Sequence, residues 1–298
     1  MEFSGSYSTV DAHAAGEALR IVTSGVPRIP GATILDKRRW VRENLDHVRR
    51  ALLWEPRGHA DMYGCYVTEP VTHSADFGVI FMHNEGYSDM CGHGVIALAT
   101  VAVAQGLVAR QEPETRVGLD TPAGFIEAFV GWDGRKVGEV RFLNVPSFLY
   151  ERDLRISTPT FGELTVDLAF GGAFYAYLAA AQAGLELAPA HLARLVALGD
   201  EVKRAVTAAM PLQHPLESEL DRLYGAVIHG PPQHAGSHGA NVCVFAEREV
   251  DRSPTGTGTA GRLAQLHARG ELNVGEPFVN ESILGTRFRG RVLRETRV

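Results

Sequence analysis

One segment of this chain occurs twice, and it constrains the fold more than any other feature. Asp89 to Val108 reads DMCGHGVIALATVAVAQGLV, and Ser253 to Leu272 reads SPTGTGTAGRLAQLHARGEL. In register, Gly92 matches Gly256, Gly94 matches Gly258, Ala104 matches Ala268 and Gly106 matches Gly270, whereas Cys91 is matched by Thr255. Each copy follows an apolar strand-like run (Phe77 to Met82; Asn241 to Phe245), crosses a polar turn and opens a helix that stops at a glycine. Gly106 and Gly270 fit the position just past a helix C-terminus, where a positive φ disfavours residues with a side chain. No Gly/Ser linker, low-complexity tract or charge block divides the chain, so the repeat itself predicts the organisation: one copy in each half.

Apolar stretches such as YGCYVTEP, FGVIFMH, GEVRFLNVP, LTVDLAF and ANVCVFA, bounded by Gly, Pro, Asn and Asp, read as strands. Helical patterns are fewer: Lys37 to Leu53 with Asp36 as N-cap, Pro189 to Met210, and the two repeated segments. The expected class is mixed, many strands around few helices. With 298 residues, 45% of them hydrophobic, the chain can build two sizeable cores. A net charge of -6 argues against binding a phosphate backbone, so nucleic acid is not an expected partner. The first residues, MEFSGSYSTVDAHAAGEALRIV, show no basic stretch ahead of an apolar block, and the longest apolar run, Val95 to Ala104, is about half of the ~20 residues that span a membrane. The expectation is a cytoplasmic protein without membrane contact. Cys65, Cys91 and Cys243 form no CxxC pair and leave one thiol over in any disulfide scheme, which favours reduced thiols.

A helix N-terminus offers unpaired N–H groups and partial positive charge, which attract a carboxylate and stabilise a thiolate. Two such termini make an anion clamp, and glycines at 92, 94, 256 and 258 would let a ligand approach the backbone. No Lys follows the glycines, so the pattern is not a P-loop and a nucleotide site is not expected. Cys91, just before a helix start, is placed to have its pKa lowered from ~8.5, as a base or nucleophile requires. Cys65 and Cys243, inside apolar runs, read as buried small hydrophobes. The histidines of HGPPQHAGSHG (His229, His234, His238) match no standard zinc spacing, and no metal is expected.

The stretches GYSDMCGHG and VDRSPTGTG resemble the two active-site motifs of the proline racemase family, which includes 4-hydroxyproline 2-epimerases and trans-3-hydroxy-L-proline dehydratases. DAHAAGEALRIV, EPRGHADMYG, VDLAFGGAFYAY and FVNESILGTRF resemble family segments in the same order, so the likeness covers most of the chain. It implies a diaminopimelate-epimerase-like α+β fold: two pseudo-symmetric domains, each a curved sheet around a central helix, with the active site in the cleft between them. The expected domains are 1–158, with 284–298 returning to it, and 159–283. It also implies an imino-acid substrate and no cofactor, with a homodimer admitted as the assembly. The substrate carboxylate would sit on the backbones of Gly92, His93, Gly256 and Thr257. Asp251 matches the position that pairs with the ring amine, and the His93 side chain a neighbour of that nitrogen. Ala173 stands where the family usually has Asn. Phe245 reads as ordinary core and is left out of the site.

In the family's racemases a thiol on each face of the α-carbon exchanges its proton. Thr255 breaks that pattern, because an uncharged hydroxyl is a poor base and a much weaker acid than a thiol. One base suffices for a substrate with a hydroxyl next to Cα: Cys91 takes the α-proton, the 3-hydroxyl departs, and the enamine tautomerises to Δ1-pyrroline-2-carboxylate. The expected activity is therefore trans-3-hydroxy-L-proline dehydration with Cys91 and Thr255 catalytic. The acid for the leaving hydroxyl is Thr255, a water it holds, or His93. A racemase or epimerase, and a non-catalytic amino-acid binder, are the alternatives.

Overall fold

A computed structural model of the chain describes residues 5–297; Met1 to Ser4 and Val298, at the ends of the predicted domain ranges, lie outside them. The chain divides into two units between Val145 and Pro146.

In the first unit β1 (Ser8–Ala14) and β2 (Glu17–Ser24) form an antiparallel hairpin. Two helices follow, α1 (Ile34–Asn44) and α2 (Asp46–Leu53), where the sequence predicts one. Asp36 is not the cap. Thr33 is: its hydroxyl accepts the Asp36 N–H at 3.0 Å while the Asp36 carboxylate accepts the Thr33 N–H at 2.9 Å, a reciprocal arrangement that satisfies two donors at once. Then come β3 (Tyr63–Thr68), β4 (Phe77–His83), β5 (Gly86–Tyr87), α3 (Gly92–Ala104), β6 (Glu114–Thr121), β7 (Gly124–Trp132) and β8 (Val137–Leu143). The sheet order is β1-β2-β3-β4-β6-β7-β8, with β5 paired to β4. Helix α3 packs against β1, β2, β6, β7 and β8. It is apolar nearly all round, with Val95, Leu98, Ala99, Ala102 and Val103 buried, as a helix enclosed by a curled sheet must be.

The second unit holds β9 (Phe148–Thr158), β10 (Gly162–Phe170), β11 (Phe174–Ala179), α4 (Leu192–Ala209), β12 (Leu223–Gly230), β13 (Gly239–Phe245), β14 (Glu249–Asp251), α5 (Gly256–Ala268), β15 (Pro277–Ser282) and β16 (Arg287–Arg291). Its order is β16-β15-β13-β12-β11-β10-β9, with β14 paired to β13. Helix α5 packs against β9, β10, β11 and β16. All five apolar stretches named from the sequence contain strands, and Pro189 opens a short 3-10 turn that leads into α4.

The duplication extends far beyond the repeated segment. Strands β1, β2, β3, β4, β6 and β7 pair in the sense antiparallel, parallel, antiparallel, parallel, antiparallel. Strands β10, β11, β12, β13, β15 and β16 repeat that pattern without change. The short strands β5 and β14 precede the enclosed helix in both units, while β8 and β9 extend their sheets at opposite ends of the repeat.

Two domain expectations are corrected. Residues 148–158 belong to the second unit, because β9 pairs antiparallel with β10 from Thr158 opposite Gly162 to Phe148 opposite Phe170. The C-terminal segment does not return to the first sheet: β16 pairs with β15, from Glu281 opposite Arg287 to Pro277 opposite Arg291. Both are local hairpins, whose short loops close at low entropic cost. Among the described residues no helix is long and apolar enough to cross a membrane.

Candidate active site

Cys91 is the N-cap of α3 and is 4% exposed. Its Sγ accepts the Gly94 N–H at 3.3 Å and lies 3.3 Å from His93 Nδ1. A backbone donor at a helix N-terminus favours the thiolate, and the imidazole can take the thiol proton. Gly94 is required by contact, since a Cβ there would lie 2.5 Å from the Phe81 ring and 2.9 Å from Sγ. The His93 ring meets Tyr63 edge-on with centroids 4.9 Å apart. Two residues before the thiol, Asp89 forms a buried ion pair with Arg38 of α1.

The second motif has the same frame and a different cap. Both enclosed helices run 13 residues and end in the same way: Gly106 and Gly270 have φ of +70° and +75°. Leu107 N–H reaches Ala102 O at 2.8 Å, and Glu271 N–H reaches Leu266 O at 2.8 Å, which is the Schellman arrangement. At the other end, Cys91 has φ -143° and ψ 109°, whereas Thr255 has φ +60° and ψ 100°. Unlike most N-cap threonines, Thr255 makes no side-chain cap bond, and its Oγ1 is buried without a hydrogen-bond partner among the described residues. The Gly256 and Thr257 N–H groups open α5, where helix geometry supplies them no intrahelical acceptor.

Asp251 Oδ1 accepts the Ser253 N–H at 2.7 Å, and Ser253 Oγ accepts the Thr255 N–H at 3.1 Å. Asp251 thus makes the turn that its sequence context allows while remaining available through its other oxygen. Sequence reasoning missed Ser253, and it missed Tyr175 and Tyr177: Tyr175 OH lies 2.7 Å from Thr257 Oγ1, and Tyr177 OH donates to Gly258 O at 2.9 Å. The Asp251-x-Ser spacing could have revealed the first; the tyrosines lie about 80 residues away and leave no local trace.

The remaining singled-out residues have structural surroundings of their own. Cys65 is fully buried, which pushes its thiol pKa up, and Cys243 is 1% exposed. Phe245 stacks on Tyr224 at 5.6 Å. Ala173 is buried and accepts the Gly171 N–H at 3.1 Å. His234 pairs with Glu281, and His238 Nδ1 accepts the Val279 N–H at 2.9 Å; among the described residues no three His, Cys, Asp or Glu side chains gather as metal ligands.

The sequence profile described as proline racemase matches residues 9–298. This chain belongs to the proline racemase family. Among family relatives, a protein of Burkholderia ambifaria named trans-3-hydroxy-L-proline dehydratase is 60% identical over 298 residues, all of this chain and 89% of that one. A Burkholderia multivorans protein named 3-hydroxyproline 2-epimerase is 59% identical over the same coverage. The crystal structure of a probable proline racemase from Agrobacterium radiobacter superposes with a TM-score of 0.92 at 33% identity, covering 98% of this chain and 86% of that one. The expected diaminopimelate-epimerase-like α+β architecture, a curled sheet around a helix in each of two similar units, is the architecture of this family member.

Proposed function

We propose that this chain is a trans-3-hydroxy-L-proline dehydratase in which Cys91 is the base. The observation that carries the reading is the asymmetry of the two N-caps. Cys91 has a backbone donor and an imidazole against its sulfur, whereas Thr255 presents a buried hydroxyl with no partner among the described residues. In this reading both motifs serve one substrate, whose carboxylate rests on the N–H groups of Gly92, His93, Gly256 and Thr257 and whose ring nitrogen pairs with Asp251. As the α-proton passes to Cys91, the charge developing on the carboxylate is met by fixed N–H dipoles. The C3–O bond then breaks, the hydroxyl leaves as water with a proton from Thr255 or a water that it holds, and the enamine tautomerises to Δ1-pyrroline-2-carboxylate. The reaction is redox-neutral and calls for no cofactor. The reading includes a cytoplasmic location, which suits three free cysteines, and a homodimer, to be checked by sedimentation.

The relative named 3-hydroxyproline 2-epimerase supports a second reading, in which a proton returns to the opposite face of Cα. Incubation with trans-3-hydroxy-L-proline and, separately, trans-4-hydroxy-L-proline in D2O, followed by NMR, separates the two. Dehydration gives a cyclic imine from the 3-hydroxy compound and no Cα deuteration of the 4-hydroxy compound. Epimer formation with Cα deuterium, and no imine, would replace the dehydratase reading.

A further inference from the structure

Within the second unit, β12, β13, β15 and the C-terminal half of α5 border a cavity of about 300 Å³ whose lining includes none of residues 251–259. Leu266 and Phe278 give it apolar walls, and Arg262 is part of its lining. Among the described residues Arg262 forms no ion pair; its Nη1 donates to Gln265 Oε1 at 2.6 Å, which leaves most of its five N–H groups for another acceptor. Burial works against its charge, and Glu271 supports that charge from beyond ion-pair distance.

A second donor follows from proton counting. Pro254 O can only accept, so the Thr259 hydroxyl, 2.9 Å away, donates to it. The Asn280 atom 2.9 Å from Thr259 Oγ1 must then be a donor, Nδ2, and the Asn241 atom that it also contacts must be Oδ1. This fixes the orientation of Asn241, whose Nδ2 is left buried with no partner among the described residues. A buried donor without an acceptor is costly and rare, and Asn241 lines the same cavity as Arg262. Two carboxylates, Glu271 and Glu276, also line it and are exposed to solvent.

We infer that this cavity is a binding site for a small zwitterionic amino or imino acid, its carboxylate held by Arg262 and Asn241 Nδ2, its ammonium by Glu271 and Glu276, and its apolar body by Leu266 and Phe278. The lining includes neither Cys91 nor any of residues 251–259, so occupancy survives chemical blockage of the catalytic thiol.

The test is titration of L-proline, which has no hydroxyl to lose, into protein alkylated by iodoacetamide, with peptide mass spectrometry confirming a single addition and placing it on Cys91 and not on Cys65 or Cys243. Saturable binding of one equivalent is expected to persist. Arg262→Gln should weaken it about 10- to 100-fold, the loss of a charge-assisted hydrogen bond. L-Prolinamide, which lacks the carboxylate, should bind unmodified Arg262 protein as weakly as L-proline binds the variant. Absence of saturable binding to the alkylated protein, or equal affinity of Arg262→Gln and the parent, or equal affinity for L-prolinamide and L-proline, would overturn the assignment. The prolinamide comparison decides alone if Arg262→Gln does not fold.

Discussion

Replacing Thr255 with glycine should make the protein more stable and catalytically inert. A β-branched residue at φ +60° and ψ 100° is held in a sparsely populated region at a cost of about 1–3 kcal/mol. Its buried, unpartnered Oγ1 adds a desolvation penalty of about 1–3 kcal/mol. Thr255→Gly removes both. Opposing this, two buried carbons are lost at roughly 0.8 kcal/mol each, and the greater freedom of glycine in the unfolded chain costs about 0.5–1 kcal/mol. At mid-range the balance favours the variant by about 1–2 kcal/mol. Urea denaturation followed by circular dichroism would read this as a higher midpoint at unchanged slope, alongside loss of imine formation from trans-3-hydroxy-L-proline. Thr255→Ala, which sheds the hydroxyl and keeps the backbone strain, should fall between the two. A glycine variant less stable than the parent by more than about 1 kcal/mol would refute the reasoning, since residue 255 would then be neither strained nor unsatisfied.

Asp89→Asn removes the carboxylate charge that faces the buried Arg38 guanidinium and should cost about 3–5 kcal/mol in urea denaturation; an unchanged midpoint would show that the pair contributes nothing to stability. Thr255→Cys restores a second thiol and should introduce deuterium at Cα of proline or 4-hydroxyproline in D2O, and a folded variant without exchange would remove Thr255 as the reason for one-base chemistry. Burial pushes His229 from its ordinary 6.5 down to about 3, so the unfolded chain takes up a proton that the folded chain refuses. The contribution of His229 to stability is therefore full above pH 6.5 and is lost as pH drops toward about 3; His229→Asn should flatten that part of the fall, and parallel pH curves would disprove it.

The repeat, the glycine stops and Cys91 were legible because each depends on residues adjacent in sequence. The domain boundary was not, because β9 and β16 owe their sheet to pairing partners that no local pattern specifies. Nor was Arg38, which lies 51 residues from Asp89. The most consequential omission is the backbone at Thr255: β-branching predicts a negative φ, so the sequence points away from what the fold imposes. The Thr33 cap was hidden by Asp36, an equally good capping residue type that serves instead at the third helical position.

The matched lengths of α3 and α5, each closed by a left-handed glycine at its far end, turn the helix into a ruler. Thirteen residues at about 1.5 Å each measure roughly 20 Å from stop to cap. With the stop anchored, the register of the reactive residue is read from the distant end of the helix. Inserting a single residue into α3 beyond His93 and Gly94 would swing Cys91 by about 100° and advance it by about 1.5 Å, carrying the sulfur and its imidazole together away from Tyr63 and Phe81 while every motif residue stayed in place in the sequence. Chemistry at one end is thereby indexed by a turn at the other, and a length change too small to disturb the sheet is enough to uncouple them.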